Sequence, residues 1–399
     1  MKTVVLGVSG GIAAYKAAQL TSDLKKKGYD VHVIMTKNAT EFVSPLTFET
    51  LSGHRVSIDT FDRNFEYNVQ HVSLAKKADV FVIAPATANV IAKIACGLAD
   101  DMLTTTFLAC GCEKIICPAM NTGMLENPAT QHNLQILKDR GMRIVEAASG
   151  ILACGDVGKG RLAEPAEIED EIEQVLYSDK SLREKTVMVS AGATQEALDP
   201  VRYISNHSTG KMGYAIAKAA RNMGARVILV HGKTSLPPVR NIEDVPAVSA
   251  KDMADAILQR QNECDIIIKA AAVADYTPQS VAENKIKKSE GEFVVPLKRT
   301  VDILKTLGEN KPVNQVLCGF AMETQDLLSN ARKKLESKNA DMIVANSLRE
   351  KGAGFGVDTN RVTILTTDQE ETLDLMSKED LAYELLDRAA AILKAKKGE

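Results

Sequence analysis

No Arg-rich or apolar leader is evident and no apolar run is long enough to span a bilayer, so the expected location is cytoplasmic. Charge of one sign is also missing: 49 Lys and Arg against 52 Asp and Glu leave a net charge of −3. That balance gives no reason to expect nucleic acid or an anionic membrane as a partner. Metal motifs are absent too. The seven cysteines are odd in number, Cys110-Gly111-Cys112 is not a C-x-x-C pair, and no His cluster completes a zinc set. Several of the thiols sit in apolar runs, where reduced cysteines are usual. Tandem repeats and low-complexity tracts are lacking.

What is present is an alternation of apolar, β-rich runs with amphipathic helical patterns over 399 residues, a length that suits two cores better than one. In the first half, strands are predicted at 3–8, 31–35, 80–84, 114–117 and 143–145, with helices such as 13–27, 88–96 and 127–140 between them. In the second half, strands are predicted at 186–190, 226–230, 266–269, 316–320 and 342–345, separated by helices near 211–223, 252–261 and 325–338. Continuous apolar strands alternating with helices predict an α/β fold: two doubly wound, Rossmann-like parallel-sheet domains. The polar, aperiodic segment 178–185 is the expected linker between domains 1–177 and 186–399. The Gly-rich stretch 147–161 has no apolar period and reads as a lid loop. Residues 283–299 break the rhythm and read as extended arms.

Each half opens with a strand followed by a glycine turn, Gly7-Val8-Ser9-Gly10-Gly11 and Ser190-Ala191-Gly192-Ala193-Thr194. Such turns aim backbone N–H groups and a helix N-terminus at an anion. Neither is a G-x-G-x-x-G fingerprint, and neither second strand ends in the acidic residue that holds the ribose of a dinucleotide. Met35-Thr36 and Val230-His231-Gly232 stand there instead, which disfavours NAD. A hydroxyl at Thr36 beside Ser9 and Gly10 suits a terminal phosphate better, as in a flavin mononucleotide, although glycine turns also serve tight βα packing alone.

Two further clusters follow predicted strands of the first half, Pro85-Ala86-Thr87-Ala88-Asn89 and Pro118-Ala119-Met120-Asn121. Open α/β sheets bind ligands at such carboxyl ends, and Thr87, Asn89 and Asn121 offer polar groups among apolar neighbours; the same residues also serve as ordinary caps and turns. His71 is a lone histidine before a short helix, a residue type more often structural than catalytic. Cys154 differs from the other thiols because it lies on the Gly-rich loop, which suits a reactive role. In the second half, Asn206-His207-Ser208-Thr209-Gly210-Lys211 places small polar residues and a lysine at a helix start, without Walker A spacing. Lys285, Lys334 and Lys338 belong to a run of downstream cations that are either a solvated face or anion ligands.

With these segments in order over nearly the full length, the chain resembles the bacterial bifunctional phosphopantothenoylcysteine decarboxylase / phosphopantothenate–cysteine ligases of coenzyme A biosynthesis. The first half resembles their flavin domain through Ser9–Lys16, His71, Pro85–Asn89, Pro118–Met124 and Ala153–Asp156. The second resembles their ligase domain through Ala191–Thr194, Asp199–Met212, Ala270–Tyr276, Lys285–Lys288, Gly319-Phe320 and Gly352–Phe355. Two departures stand out: Leu125 where the family usually has an aromatic residue, and Val301 where it commonly has proline before Asp302.

The resemblance implies a flavodoxin-like first domain that binds FMN through Ser9, Gly10, Gly11, Thr36, Pro85, Thr87 and Asn89. It implies CTP as co-substrate with Mg²⁺, held in the second domain by Lys269, Ala270, Ala271, Asp275, Lys285, Val301, Asp302, Ile303, Leu304, Phe320, Lys334 and Lys338; no metal ligands are identified. The ligase half would activate 4′-phosphopantothenate as an acyl-cytidylate, which cysteine displaces, with Asn206 assisting. The flavin half would then oxidise the cysteine thiol so that a C=S group lies β to the carboxylate, lose CO₂ and reduce the product again. In that scheme His71 assists oxidation and decarboxylation, Asn121 holds the carboxylate and Cys154 donates the final proton. The resemblance also implies a homo-oligomer of trimeric flavin halves and dimeric ligase halves. Two other classes compete: a non-catalytic flavoprotein, disfavoured by the presence of His71, Cys154 and a ligase half, and a nicotinamide-dependent dehydrogenase, disfavoured by the strand ends.

Overall fold

The computed structural model describes residues 1–61, 69–153, 155–287, 293–323, 326–347, 354 and 356–398. It divides into two compact units, Met1–Ser178 and Asp179–Glu399.

In the first unit, β1 (Thr3–Val8), β2 (Asp30–Met35), β3 (Val80–Ala86), β4 (Glu113–Pro118) and β5 (Arg143–Ile144) form a parallel sheet of order β2-β1-β3-β4-β5. Every residue of β1 is buried. Its alternate side chains serve opposite faces, as the strand period of two requires. Val4, Leu6 and Val8 join Leu20, Leu24 and Phe48 on one face, whereas Val5 joins Phe81, Ile83 and Leu103 on the other. The covering helix Ala14–Lys26 presents Ala14, Ala17, Leu20, Thr21 and Leu24, the three-and-four spacing of one helical face. Burial of a leucine such as Leu20 stabilises by about 2 kcal/mol, and many such contacts fix the sheet against its helices. The order reverses between β1 and β3, where chains leaving the sheet diverge and open a crevice at the strands' carboxyl ends.

The stretch expected to be a lid loop is instead an antiparallel hairpin of β6 (Ala148–Ile151) and β7 (Val157–Arg161). The pairing does not depend on apolar alternation, because much of the hairpin is glycine and backbone hydrogen bonds close it; Leu152 N–H donates to Asp156 O at 2.8 Å.

The second unit contributes β8 (Thr186–Ala191), a small hairpin of β9 (Gln195–Ala197) and β10 (Tyr203–Ser205), then β11 (Arg226–His231), β12 (Glu243–Pro246) and β13 (Ile266–Lys269). There follow an arm of β14 (Tyr276–Pro278) and β15 (Leu297–Arg299), then β16 (Val316–Glu323) and β17 (Met342–Ser347). After β18 (Thr359–Asn360), β19 (Val362–Thr366) and β20 (Glu370–Thr372), β21 (Met376–Ser377) pairs back on β18. The main sheet runs β12-β11-β8-β13-β16-β17-β19-β20, with its switch between β8 and β13. Its six consecutive strands β12 to β17 are parallel, as expected, but β19 and β20 run antiparallel. β20 folds back on β19 through the tight turn after Thr366, where Thr366 N–H donates to Gln369 O at 2.9 Å. A turn so short can only reverse the chain, since a parallel crossover needs a dozen residues or more.

Segment 178–185, read as a linker, is fastened to the second unit from Asp179 onward. Leu182 is 1% exposed and its N–H donates to Met223 O at 3.1 Å, while Lys180 Nζ donates to Asn222 O at 2.6 Å. One apolar side chain in a polar stretch sufficed to dock it.

Candidate active sites of the two units

The crevice of the first unit is built by cross-bracing. Ser9 Oγ donates to Pro85 O at 2.7 Å and accepts from Thr87 N–H at 2.9 Å, so the loops after β1 and β3 are tied by one buried hydroxyl. Thr36 N–H donates to Val8 O, and Thr36 Oγ1 accepts from Ala39 N–H at 3.3 Å as the cap of the short helix Lys37–Thr40. Gly10 is obligatory at this junction: a Cβ there would lie 2.4 Å from Asn38 Cβ and 2.7 Å from its carbonyl carbon. Ser9, Gly10, Gly11, Thr36, Pro85 and Thr87 therefore meet at one end of the sheet. Asn89 is apart from them, exposed in the first turn of the helix Ala88–Cys96.

Beside these loops lies a cavity of about 630 Å³ lined by Gly11, Ile12, Pro85, Met120, Asn121 and Leu152, among others. Asn121 caps the turn Thr122–Glu126 through Gly123 N–H at 2.9 Å, and its Nδ2 reaches Asp156 Oδ2, in the turn of the hairpin, at 3.5 Å. Cys154 lies outside the described residues, yet its neighbours Leu152 and Ala153 line the cavity. His71 is half-buried in the second position of the helix Gln70–Lys77 and is not part of the cavity wall among the described residues. Leu125, the departure noted above, is 5% exposed and packs with Leu134 and Leu137 rather than into the cavity.

Lys16 and Arg161 also line the cavity, and residue-by-residue reading missed both. Lys16 Nζ pairs with Glu164 Oε1 at 2.8 Å. The signal was available: Lys16 sits in the first turn of the helix Ala14–Lys26, where the helix dipole disfavours a cation. The group that fits this site is flat and apolar with an anionic tail. Its walls are carbon-rich, the glycine turn brings backbone close, and β2 ends in Met35-Thr36 without a carboxylate for a dinucleotide ribose.

In the second unit the loops at the β8/β13 switch are likewise stitched together. Ala272 N–H donates to Gly192 O at 2.9 Å, Ala271 N–H to Ser190 Oγ at 3.2 Å and Ala274 N–H to Thr194 Oγ1 at 3.0 Å. Gly192 turns the chain with φ +78, a left-handed backbone that favours glycine. Asn206 is not a helix cap. The helix Lys211–Asn222 starts at Gly210, and Asn206 Nδ2 instead donates to Ala272 O at 3.2 Å, which hangs its exposed amide over the switch point. Lys211, expected to address a phosphate, is engaged otherwise: its Nζ donates to Gly356 O at 2.8 Å and pairs with Asp358 at 2.7 Å.

Lys269, Asp302, Phe320, Lys334 and Lys338 converge at the end of β13 and β16. Lys338 Nζ pairs with Asp302 Oδ2 at 2.5 Å, and Lys334 Nζ donates to Phe320 O at 2.9 Å. Asp302 caps the helix Ile303–Glu309 through Lys305 N–H at 3.0 Å. Burial works against its charge, but Lys338, the Lys305 N–H and Lys334 outweigh it and hold the carboxyl below its ordinary range. Lys269 is 7% exposed, and its Nζ is buried with no hydrogen-bond partner. Burial above all, then the Lys334 charge, pushes its amine down to about 7, against the pull of Asp302. An orphaned buried amine is costly unless a ligand answers it.

Asp275 and Val301 adjoin this cluster through Thr300, whose N–H donates to Asp275 O at 2.9 Å; Val301 is exposed, whereas Ile303 and Leu304 are buried. Ala270 and Ala271 follow Lys269 at the switch. Lys285 is exposed on the arm, anchored through its neighbour: Asp199 accepts from Ile286 N–H at 3.1 Å while pairing with Arg202 at 2.6 Å. Lys288, Gly352, Ala353 and Phe355, which carried part of the resemblance, lie outside the described residues. Sequence reading also missed Asn346, whose buried Oδ1 at the end of β17 has no partner. An asparagine ending the apolar run Ile343-Val344-Ala345 was the available signal.

Comparison with known proteins agrees with two functional halves. Residues 1–177 match the family model described as Flavoprotein, and residues 182–393 match the DNA/pantothenate metabolism flavoprotein C-terminal domain. The chain is 51% identical over 397 residues to the Coenzyme A biosynthesis bifunctional protein CoaBC of Bacillus subtilis (strain 168), covering 98% of both chains. It is 42% identical over 389 residues to the protein of the same name from Escherichia coli (strain K12), covering 97% of this chain and 96% of that one. Among solved structures, the C-terminal domain of a Coenzyme A biosynthesis bifunctional protein CoaBC covers 54% of this chain and 100% of its own, with 44% identity and a TM-score of 0.47.

Proposed function

The chain belongs to the coenzyme A biosynthesis bifunctional proteins, and from that premise we propose that its second unit joins cysteine to 4′-phosphopantothenate with CTP and its first unit decarboxylates the product to 4′-phosphopantetheine. The observation that carries this reading is that each unit has its own switch-point site. One is a carbon-walled cavity and the other a lysine cluster with an unanswered amine.

In the second unit, Lys269, Lys334 and Lys338 draw the triphosphate of CTP and offset the repulsion as the substrate carboxylate attacks the α-phosphorus. Pyrophosphate leaves, and the acyl-cytidylate remains at the Gly192–Ala272 switch. Bound Mg²⁺ would share the triphosphate charge with these lysines. Asn206 turns its amide from Ala272 O to the acyl carbonyl, which gains negative charge as the cysteine amine adds and CMP departs. Asp275, Val301 and Phe320 frame the nucleotide, and Lys285 reaches in from the arm.

In the first unit, Ser9, Gly10, Gly11, Thr36, Pro85 and Thr87 form the FMN cradle, with Asn89 at its outer edge. Bound FMN supplies reversible hydride acceptance, which a cysteine amide cannot provide for itself. Asn121 orients the substrate carboxylate by its Nδ2, His71 takes the thiol proton, and Cys154 returns a proton to carbon after CO₂ has gone. The family resemblance supports assembly through trimeric flavin halves and dimeric ligase halves, which would complete sites at subunit boundaries. No helix among the described residues is long and apolar enough to cross a membrane, in keeping with a cytoplasmic setting.

The purified chain should show a flavin absorbance spectrum and release pyrophosphate from CTP only when 4′-phosphopantothenate is added. A colourless protein, or pyrophosphate release indifferent to 4′-phosphopantothenate, would contradict the proposal.

A further inference from the structure

At the end of β2 remote from the flavin cradle, three side chains with metal-binding atoms come together. Asp30 opens the strand and is 7% exposed, and His32, two residues on, shares its face. His54 arrives from elsewhere: the helix Pro45–Ser52 ends at Gly53 with φ 75, and that left-handed turn swings the next residue back onto β2. His54 Nε2 lies 2.6 Å from Asp30 Oδ1, and His32 Nε2 lies 3.1 Å from Asp30 Oδ2. The two imidazoles stack with centroids 4.1 Å apart, and one ligand atom from each of the three residues lies within 4.8 Å of the others.

A cation already sits here. Lys77 Nζ is 2.8 Å from Asp30 Oδ2 and 2.8 Å from His32 Nε2. An ammonium can only donate, so His32 offers it a ring lone pair and is neutral in this arrangement. A carboxylate and a neutral imidazole thus face one cation, with a second imidazole beside them.

We propose that Asp30, His32 and His54 form a binding site for a divalent transition-metal ion of the zinc class, for which the Lys77 ammonium is the resident competitor. Two imidazoles and one carboxylate are a donor set that suits zinc, and water can supply a fourth ligand because Lys77 is 47% exposed and His54 35%. Small ring rotations bring both Nε2 lone pairs onto the ion, and the long Lys77 side chain can swing into solvent. The site is separate from the chemistry: β2 runs from Asp30 to the turn at Thr36, roughly 20 Å away at about 3.3 Å per residue. Its role is to pin the turn after Gly53 to the sheet, which stabilises the first unit when metal is present.

Lys77 makes the proposal testable in two directions. Zn²⁺ titrated calorimetrically into the full chain should bind about tenfold or more weakly in His54→Ala and in His32→Ala, since losing a ligand costs at least as much as losing an outer partner. Lys77→Ala should tighten binding by about tenfold, because a like charge close to the ion is removed. Cys112→Ser, run in parallel, should leave this event in place and so separates it from thiol binding. Circular dichroism establishes that each variant is folded, and partly exposed His54 is the substitution that disturbs packing least. A network of ion pairs without metal affinity gives coincident isotherms for wild type and His54→Ala, and a supporting role for Lys77 gives weaker binding in Lys77→Ala. Either result overturns the proposal.

Discussion

Replacing Lys269 by Met should make the second unit more stable and its ligase inactive. The amine is buried without a partner and is pushed from its ordinary 10.5 down to about 7. A lysine whose folded value is lowered binds its proton more readily when unfolded. Stability from this group is therefore fullest above pH 10.5 and is lost as pH falls toward 7, below which the penalty is constant. The gap of 10.5 − 7 = 3.5 pH units corresponds to about 5 kcal/mol, an upper figure because local relaxation and water lessen it. Methionine keeps the chain's volume and removes the charge, a type of exchange that often stabilises by roughly 1–4 kcal/mol. Urea unfolding at pH 7 and pH 9.5 reads the effect: the variant's advantage should be large at the lower pH and shrink at the higher. CTP-dependent ligation on the same samples should fall by about a hundredfold or more, the scale of losing an electrostatic contact in a transition state. A variant that is destabilised at pH 7, or that ligates normally, would refute the view that this amine awaits an anion.

Asn206→Ala removes one exposed 3.2 Å contact to Ala272 O, so it should cost about 1 kcal/mol or less in stability yet slow amide formation about a hundredfold; near-normal ligation would leave only the brace. Cys154→Ser should make phosphopantothenoylcysteine at the normal rate but release little 4′-phosphopantetheine, as product analysis by mass would show; normal release would remove its acid role. Chains cut between Ser178 and Asp179 should separate the activities, with residues 1–178 yellow and decarboxylating without CTP, and residues 179–399 colourless and ligating only with CTP and Mg²⁺. In the intact chain, Lys285→Ala should impair ligation and spare decarboxylation, and equal loss of both in folded protein would count against independent sites.

Much of the fold was legible because it is written in local periodicity. Strand β1, the β13 strand Ile266–Lys269 and the helix Ala88–Cys96 have the bounds that apolar pattern alone predicts, and β4 and β16 differ only at their ends. What periodicity missed are elements held by backbone pairing or by distant contacts. The hairpin β6–β7 is rich in glycine and its exposed side chains give no alternation. Strand β20 folds back on β19 at a turn after Thr366 that a residue pattern does not announce. Segment 178–185 read as a linker because the contact that docks it, Leu182 N–H to Met223 O, reaches far along the chain. At the sites, residues close in sequence to glycine turns were easy to nominate, whereas their states were not. That Lys269 is orphaned, that Lys211 is already engaged and that Asn206 braces Ala272 are facts of tertiary packing. The same holds for His54, 24 positions from Asp30 and brought to it by the turn at Gly53 and the pairing of Ser57 with β2.

The central claim is that one chain performs ligation and decarboxylation in sequence. The direct measurement is to incubate the purified full-length protein with 4′-phosphopantothenate, cysteine, CTP and Mg²⁺ and to follow products by mass over time. Phosphopantothenoylcysteine should appear first and then give way to 4′-phosphopantetheine with release of CO₂, and omission of CTP should abolish both products. Omission of CTP with phosphopantothenoylcysteine supplied should leave only the second step. Absence of either product from a folded, flavin-loaded chain, or formation of 4′-phosphopantetheine from 4′-phosphopantothenate and cysteine without any nucleotide, would contradict the account.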